Sequence, residues 1–156
     1  LHDTLHLHLK DEQDTAALGG KIAAILHPGL TLHLIGELGA GKTSLARSIL
    51  KALGYAGKVK SPTYALVELY TISRLNLYHF DLYRFSSPSE WIESGFREYF
   101  NPESICIVEW PEKGGAYIPK PDIGISLDIE GKGRHVRIDA ISEAGGQCLK
   151  RLKEAV

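Results

Sequence analysis

One stretch of eight residues constrains this chain more than any other. Gly36-Glu37-Leu38-Gly39-Ala40-Gly41-Lys42-Thr43 satisfies GxxxxGK[ST], the phosphate-loop pattern. That pattern is meaningful only between a strand and a helix, and both are legible. Leu30 to Ile35 is an apolar run of strand length. Thr43 to Leu53 places Leu45, Ile49 and Leu53 on one helical face, with Gly54 past its end. Each position has a physical reason. Glycines let successive backbone N–H groups turn inward as an anion nest. The helix start adds the positive end of its dipole. Lys42 brings a cation to the β- and γ-phosphates, and Thr43 offers a hydroxyl to Mg²⁺. Glu37, Leu38, Gly39, Ala40, Gly41, Lys42, Thr43 and Ser44 are therefore the candidate nucleotide contacts.

The rest of the chain reads as alternating strands and helices. Leu5, Leu7 and Leu9 alternate with His6 and His8, a strand with one buried face and a solvated histidine face. Ala17, Leu18, Ile22, Ile25 and Leu26 predict a helix from Thr15 to Leu26, with Asp11 or Asp14 as its cap. Tyr64–Ile72 and Leu75–Phe80 predict a hairpin around Ser73-Arg74. Ser86 to Phe100 is expected to be helical, Ile105–Val108 a buried parallel strand, and Pro111 to Pro121 a loop. Ile123–Ile129 and His135–Ile141 predict a second hairpin, and Ser142 to Ala155 a terminal helix. The expected fold is α/β: a P-loop NTPase-like three-layer arrangement, with a mixed, mainly parallel sheet and helices on both faces. No linker or repeat divides residues 1–156, so a single domain is expected.

A phosphate loop cannot hydrolyse anything alone; it needs an acid for the metal and a group to orient water. Glu109 ends the apolar run Ile105-Cys106-Ile107-Val108, the form of a Walker B strand, and Asp81 follows Leu77–Phe80 in the same way. Acids at the carboxyl ends of parallel strands face the phosphate site. Ser61-Pro62-Thr63 lies where nucleotide switches often sit, and Thr63 is a candidate γ-phosphate sensor; a plain turn fixed by Pro62 accounts for the segment equally well. Trp110 reads either as a cover for the site or as a core or rim aromatic, and Arg84 either as a phosphate contact or as a salt-bridge partner.

No NKxD guanine reader is present, and Asp128-Ile129-Glu130-Gly131 is read as a turn, so ATP is favoured over GTP. Arg84, Arg97 and Arg134 are scattered rather than gathered in a lid, which makes a small-molecule kinase the weaker alternative. A nucleotide-gated binding module with negligible turnover is the other. With 18 Lys and Arg against 19 Asp and Glu, net charge is −1, which argues against autonomous binding to nucleic acid. Cys106 and Cys148 form neither a disulfide framework nor a zinc site. No apolar run suits a membrane span and no leader is visible, so a cytoplasmic protein is expected. The chain has no Met and begins at Leu1, so its native start is expected to have been trimmed or replaced.

Four further stretches accompany the phosphate loop in order and spacing: Val59-Lys60-Ser61-Pro62-Thr63-Tyr64, Tyr78-His79-Phe80-Asp81-Leu82-Tyr83-Arg84, Gly95-Phe96-Arg97-Glu98-Tyr99-Phe100 and Val108-Glu109-Trp110. With them the chain closely resembles the TsaE (YjeE) family of bacterial ATPases, departing at Glu37, where the family usually has Asp. The resemblance implies a small ATPase working with TsaD-like and TsaB-like partners. Together they make N6-threonylcarbamoyladenosine beside the anticodon of tRNA, and this subunit acts indirectly by resetting or regulating the complex. It also implies ATP or ADP and Mg²⁺ as cofactors. Thr43 and Glu109 would hold the metal; Lys42, Asp81 and Glu109 would be the catalytic set. Ser61 and Thr63 would form the switch. The base would lie near Asp11–Thr15 and Arg134.

Overall fold

Alternation along the strands sorts the side chains into two cores on either side of one sheet. The computed structural model describes residues 3–156. The strands are β1 (Thr4–Leu9), β2 (Thr31–Ile35), β3 (Val67–Ile72), β4 (Leu75–Asp81), β5 (Ser104–Glu109), β6 (Ile123–Glu130) and β7 (Gly133–Ala140). The helices are α1 (Glu12–Ile25), α2 (Lys42–Ala52), α3 (Ser89–Ser94) and α4 (Glu143–Ala155). Sheet order is β1-β7-β6-β2-β5-β4-β3. The four inner strands β6, β2, β5 and β4 run parallel, and antiparallel pairings with β7, β1 and β3 extend the two sides. The mixed sheet with a parallel centre agrees with the sequence expectation.

One face carries the larger core. Leu32 and Leu34 of β2, Ile105 and Ile107 of β5, and Ile123 and Ile125 of β6 meet Leu18 and Ile22 of α1, Leu45 and Ile49 of α2, and Leu149 and Leu152 of α4. Residues i and i+2 of a strand share a face, so the opposite face takes Cys106 and Val108 of β5 and Phe80 of β4. There Trp91 of α3, Phe96, Tyr99 and Phe100 close a smaller aromatic cluster, with Phe80 and Phe100 stacked at 5.1 Å between ring centroids. Both cysteines are buried.

The helical cover is thus unequal. Beyond the aromatic cluster, the second face of β1 and β7 is polar: Thr4 bonds Asp139, His6 bonds and stacks on His135, and Arg137 pairs with Asp139. His6 and His8 are exposed there, as the alternation predicts. His33 of β2 lies on this face too but is buried. Desolvation pushes its imidazole down to about 4, and its Nε2 has no hydrogen-bond partner among the described residues. No helix of the described residues is long and apolar enough to cross a membrane.

Local departures have identifiable causes. α1 starts three residues before the predicted Thr15, because the Asp11 carboxylate caps it by accepting from Asp14 N at 3.0 Å. The predicted helix Ser86–Phe100 is corrected to the six-residue α3 and a 3₁₀ turn, Phe96–Tyr99. Gly95, at φ +74°, separates them by turning the chain left-handed. The predicted loop Pro111–Pro121 contains 3₁₀ turns over Pro111–Tyr117. The predicted strand from Tyr64 begins only at Val67; Leu66 sits at φ +70° and ends a turn whose N–H returns to Pro62 O.

Candidate functional site

Three elements deliver the predicted site residues to one place. The phosphate loop leaves the end of β2 and enters α2 through Gly41, which caps the helix at φ +105°. Beside β2, the parallel strands β5 and β4 end in register, with Asp81 opposite Glu109. Equal strand ends therefore bring two acids from distant sequence positions to the mouth of the helix that Lys42 and Thr43 begin. Both acids are buried, at 5% and 2% exposure, and belong to the strands rather than following them.

Thr43 donates its hydroxyl to Glu109, lying 3.0 Å from Oε1 and 3.1 Å from Oε2. Asp81 accepts from the Thr63 hydroxyl at 3.1 Å and from the Tyr83 backbone N–H at 3.0 Å. Ser61 and Thr63 hydroxyls are 2.9 Å apart. The predicted switch segment is thereby tied to the predicted water-orienting acid. The turn is present, with the Leu66 N–H returning to Pro62 O, and Thr63 lines the same cleft as Asp81.

Lys42 is buried and donates to the carbonyls of Gly36 and, at 2.9 Å, of Glu37. Its ammonium lies 4.5 Å from the centroid of the Trp110 ring. Burial pushes its pKa below the ordinary lysine value, while the charges of Glu109, Asp81 and Glu112 pull it back up. Trp110 follows Glu109 in a left-handed conformation, φ +57°; its ring lies beside the lysine at the cleft and also packs against the aromatic cluster, so both sequence readings describe it. Arg84 lies over the Tyr64 ring at 4.1 Å and pairs with no acid among the described residues.

Arg134 reaches across from β7. Its Nε donates to Ala40 O at 2.9 Å, Nη2 to Gly39 O at 3.1 Å and Nη1 to its neighbour Gly133 O at 2.8 Å. It ties the phosphate loop to the far half of the sheet and borders a cleft of about 330 Å³. That cleft is lined by Leu38, Gly39, Gly41, Lys42, Thr43, Ser44, Thr63, Asp81 and Glu109, among others. Of the other predicted residues, Ala40 is buried and Glu37 and Ser61 are exposed; none of the three lines the cleft. A second cavity of about 270 Å³, lined by Asp11, Glu12, Thr15, Gly41 and Arg134 among others, shares Glu12, Gly41 and Arg134 with the first.

Sequence reasoning gave no site role to His79. It is fully buried, and its Nε2 lies 2.6 Å from Glu109 Oε2. The available signal was its spacing: two residues before Asp81 on a strand, it shares that acid's face. The oxygen ligands suit a hard cation. Mg²⁺ takes one or two protein oxygens and keeps water and phosphate for the rest, which the Thr43 hydroxyl and Glu109 carboxylate could provide.

Comparison with known proteins agrees with this architecture. A family model described as threonylcarbamoyl adenosine biosynthesis protein TsaE matches residues 9–137. A tRNA threonylcarbamoyladenosine biosynthesis protein TsaE of Haemophilus influenzae is 41% identical over 152 residues, 94% of this chain and 96% of the relative. The protein of the same description from Bacillus subtilis is 35% identical over 119 residues, 76% of this chain and 74% of the relative. The crystal structure of YdiB from Bacillus subtilis superposes with a TM-score of 0.83 at 25% identity, covering 99% of this chain and 97% of the other. By sequence and by fold, then, the chain belongs to the TsaE family of threonylcarbamoyl adenosine biosynthesis proteins.

Proposed function

We propose that this chain is an Mg²⁺-dependent P-loop ATPase subunit, a single domain, that supports N6-threonylcarbamoyladenosine modification of tRNA. In this reading it acts indirectly, by regulating or resetting a transferase complex of TsaD-like and TsaB-like partners in the cytoplasm. The observation that carries the nucleotide chemistry is the meeting of Thr43 with Glu109 at the mouth of the phosphate loop, with Asp81 alongside.

ATP would lay its phosphates on the backbone of Gly39 to Thr43, with Glu37, Leu38 and Ser44 at the borders. Lys42 would leave the Gly36 and Glu37 carbonyls for the β- and γ-phosphates, a stronger partner for an ammonium than two neutral oxygens. Thr43 and Glu109 would hold the Mg²⁺, which when bound spreads the negative charge of the phosphates. Asp81 would orient the attacking water, whose oxygen bonds to the γ-phosphorus as the bond to the β,γ-bridging oxygen breaks; ADP leaves with that oxygen, and the water's proton leaves on the released phosphate. Thr63, bonded to Asp81, would report the γ-phosphate to the segment containing Ser61. The adjoining cavity beside Asp11–Thr15 and Arg134 suits the base.

Phosphate release from ATP by the purified chain with Mg²⁺, alone and with TsaD-like and TsaB-like proteins, tests the reading. Lys42→Ala should abolish nucleotide binding. Asp81→Ala should spare binding and lose turnover by about 10²-fold or more, the cost of misplacing a reacting group. Unchanged hydrolysis in Asp81→Ala, or phosphate passing to an added small molecule, would count against it. Loss of the tRNA modification in a depleted strain, restored by wild type and not by Lys42→Ala, tests the biological role.

A further inference from the structure

Beneath the site lies a polar contact that the proposed chemistry leaves unexplained. His79 is completely buried in the inner strand β4, where an apolar side chain would pack at no electrostatic cost. Its Nε2 lies 2.6 Å from Glu109 Oε2, while Nδ1 has no hydrogen-bond partner among the described residues. A carboxylate only accepts, so His79 donates from Nε2, and Nδ1 gains nothing from its burial. A half-satisfied imidazole adds nothing to packing that leucine would not.

What it does add is a fixed carboxylate. Glu109 is held from below by His79 at Oε2 and from the α2 side by the single Thr43 hydroxyl proton, shared between both oxygens. Glutamate has three rotatable side-chain bonds, and without the lower contact its carboxylate loses the one partner that neither the nucleotide nor the metal would displace. Thr43 is a proposed metal ligand and would be called away when the ion binds; His79 would not. Groups that orient a ligating side chain this way typically set metal affinity within a factor of about 10–100.

We infer that His79 is the positioning residue for Glu109, pinning Oε2 so that the carboxylate presents a fixed face to a divalent cation in the nucleotide complex. The inference rests on the Mg²⁺-dependent reading above and extends it to a residue that touches neither nucleotide nor metal. It also separates two neighbours on one strand face: Asp81 acts on water, His79 acts only through Glu109.

The test uses the whole chain with a non-hydrolysable ATP analogue and Mn²⁺ as the spectroscopic substitute for Mg²⁺. Bound Mn²⁺ is counted by electron paramagnetic resonance, and nucleotide affinity is measured separately in EDTA. His79→Leu keeps the volume and removes the donor; His79→Gln keeps an N–H donor at similar reach. His79→Leu should bind Mn²⁺ in the nucleotide complex about 10- to 100-fold more weakly, with metal-free nucleotide affinity unchanged. His79→Gln should recover most of the loss. Equal Mn²⁺ affinity in wild type and His79→Leu overturns the inference. So does a loss in His79→Leu that appears equally without metal and is not rescued by glutamine, the signature of a merely structural residue. If wild type holds Mn²⁺ no better than the free analogue does, the Mg²⁺-dependent reading itself has failed.

Discussion

Thr43 and Glu109 stand 66 residues apart in sequence, yet the threonine hydroxyl touches both oxygens of the glutamate, at 3.0 and 3.1 Å. The contact exists because β2 and β5 are parallel neighbours, pairing Leu34 with Glu109, and the phosphate loop carries the chain from β2 straight into α2. Glu109→Gln keeps the shape and removes the charge. Nucleotide should still bind in EDTA, whereas its Mg²⁺ dependence and ATP turnover should fall by about 10²-fold or more. Calorimetric titration with and without Mg²⁺, beside a phosphate-release assay, checks both halves.

Arg134 is expected to act through the loop it braces. Arg134→Ala removes the bonds to Ala40 and Gly39. Hydrogen bonds from charged groups contribute about 1.5–3 kcal/mol when buried, and these are partly exposed, so a loss of about tenfold in nucleotide affinity is expected. Arg134→Lys should not restore it, because an ammonium cannot span two carbonyls as the guanidinium fork does. Nucleotide titration of the three proteins decides.

Gly36 is where the loop leaves the sheet. Its φ is +156°, and a Cβ there would run into the backbone carbonyl of Leu127 on β6. Backbone cannot yield as a flexible side chain can. Gly36→Ala should cost about 2 kcal/mol or more, lowering Tm by about 5 °C for a chain of this size. A thermal melt is sufficient, and an unchanged Tm would show that the loop relaxes freely.

His33 makes the protein sensitive to acid. Its folded pKa, about 4, lies below the unfolded value of 6.5. The unfolded chain therefore takes up this proton first as pH falls. The stability from keeping His33 neutral is complete above pH 6.5 and is lost progressively between there and pH 4. By pH 5 the loss is on the order of 2 kcal/mol. Urea unfolding at pH 7 and pH 5 should show a steeper decline for wild type than for His33→Phe, which has nothing to protonate.

Local order in the chain fixed the phosphate loop, the strand and helix flanking it, and the two hairpins, because glycine spacing and hydrophobic period act over a few residues. Lys42, Thr43, Asp81 and Glu109 could be named as candidates from strand ends and motif spacing, and the fold brings all four to one cleft. The helix expected from Ser86 to Phe100 failed because its apolar residues answer to an aromatic cluster on the sheet, with Gly95 free to turn the chain between them. Which acid meets which hydroxyl, that Arg134 braces the loop, and that His79 stands under Glu109 depend on strand order and register. Those are settled by how whole faces bury against one another, and no window of sequence contains both sides of such a contact.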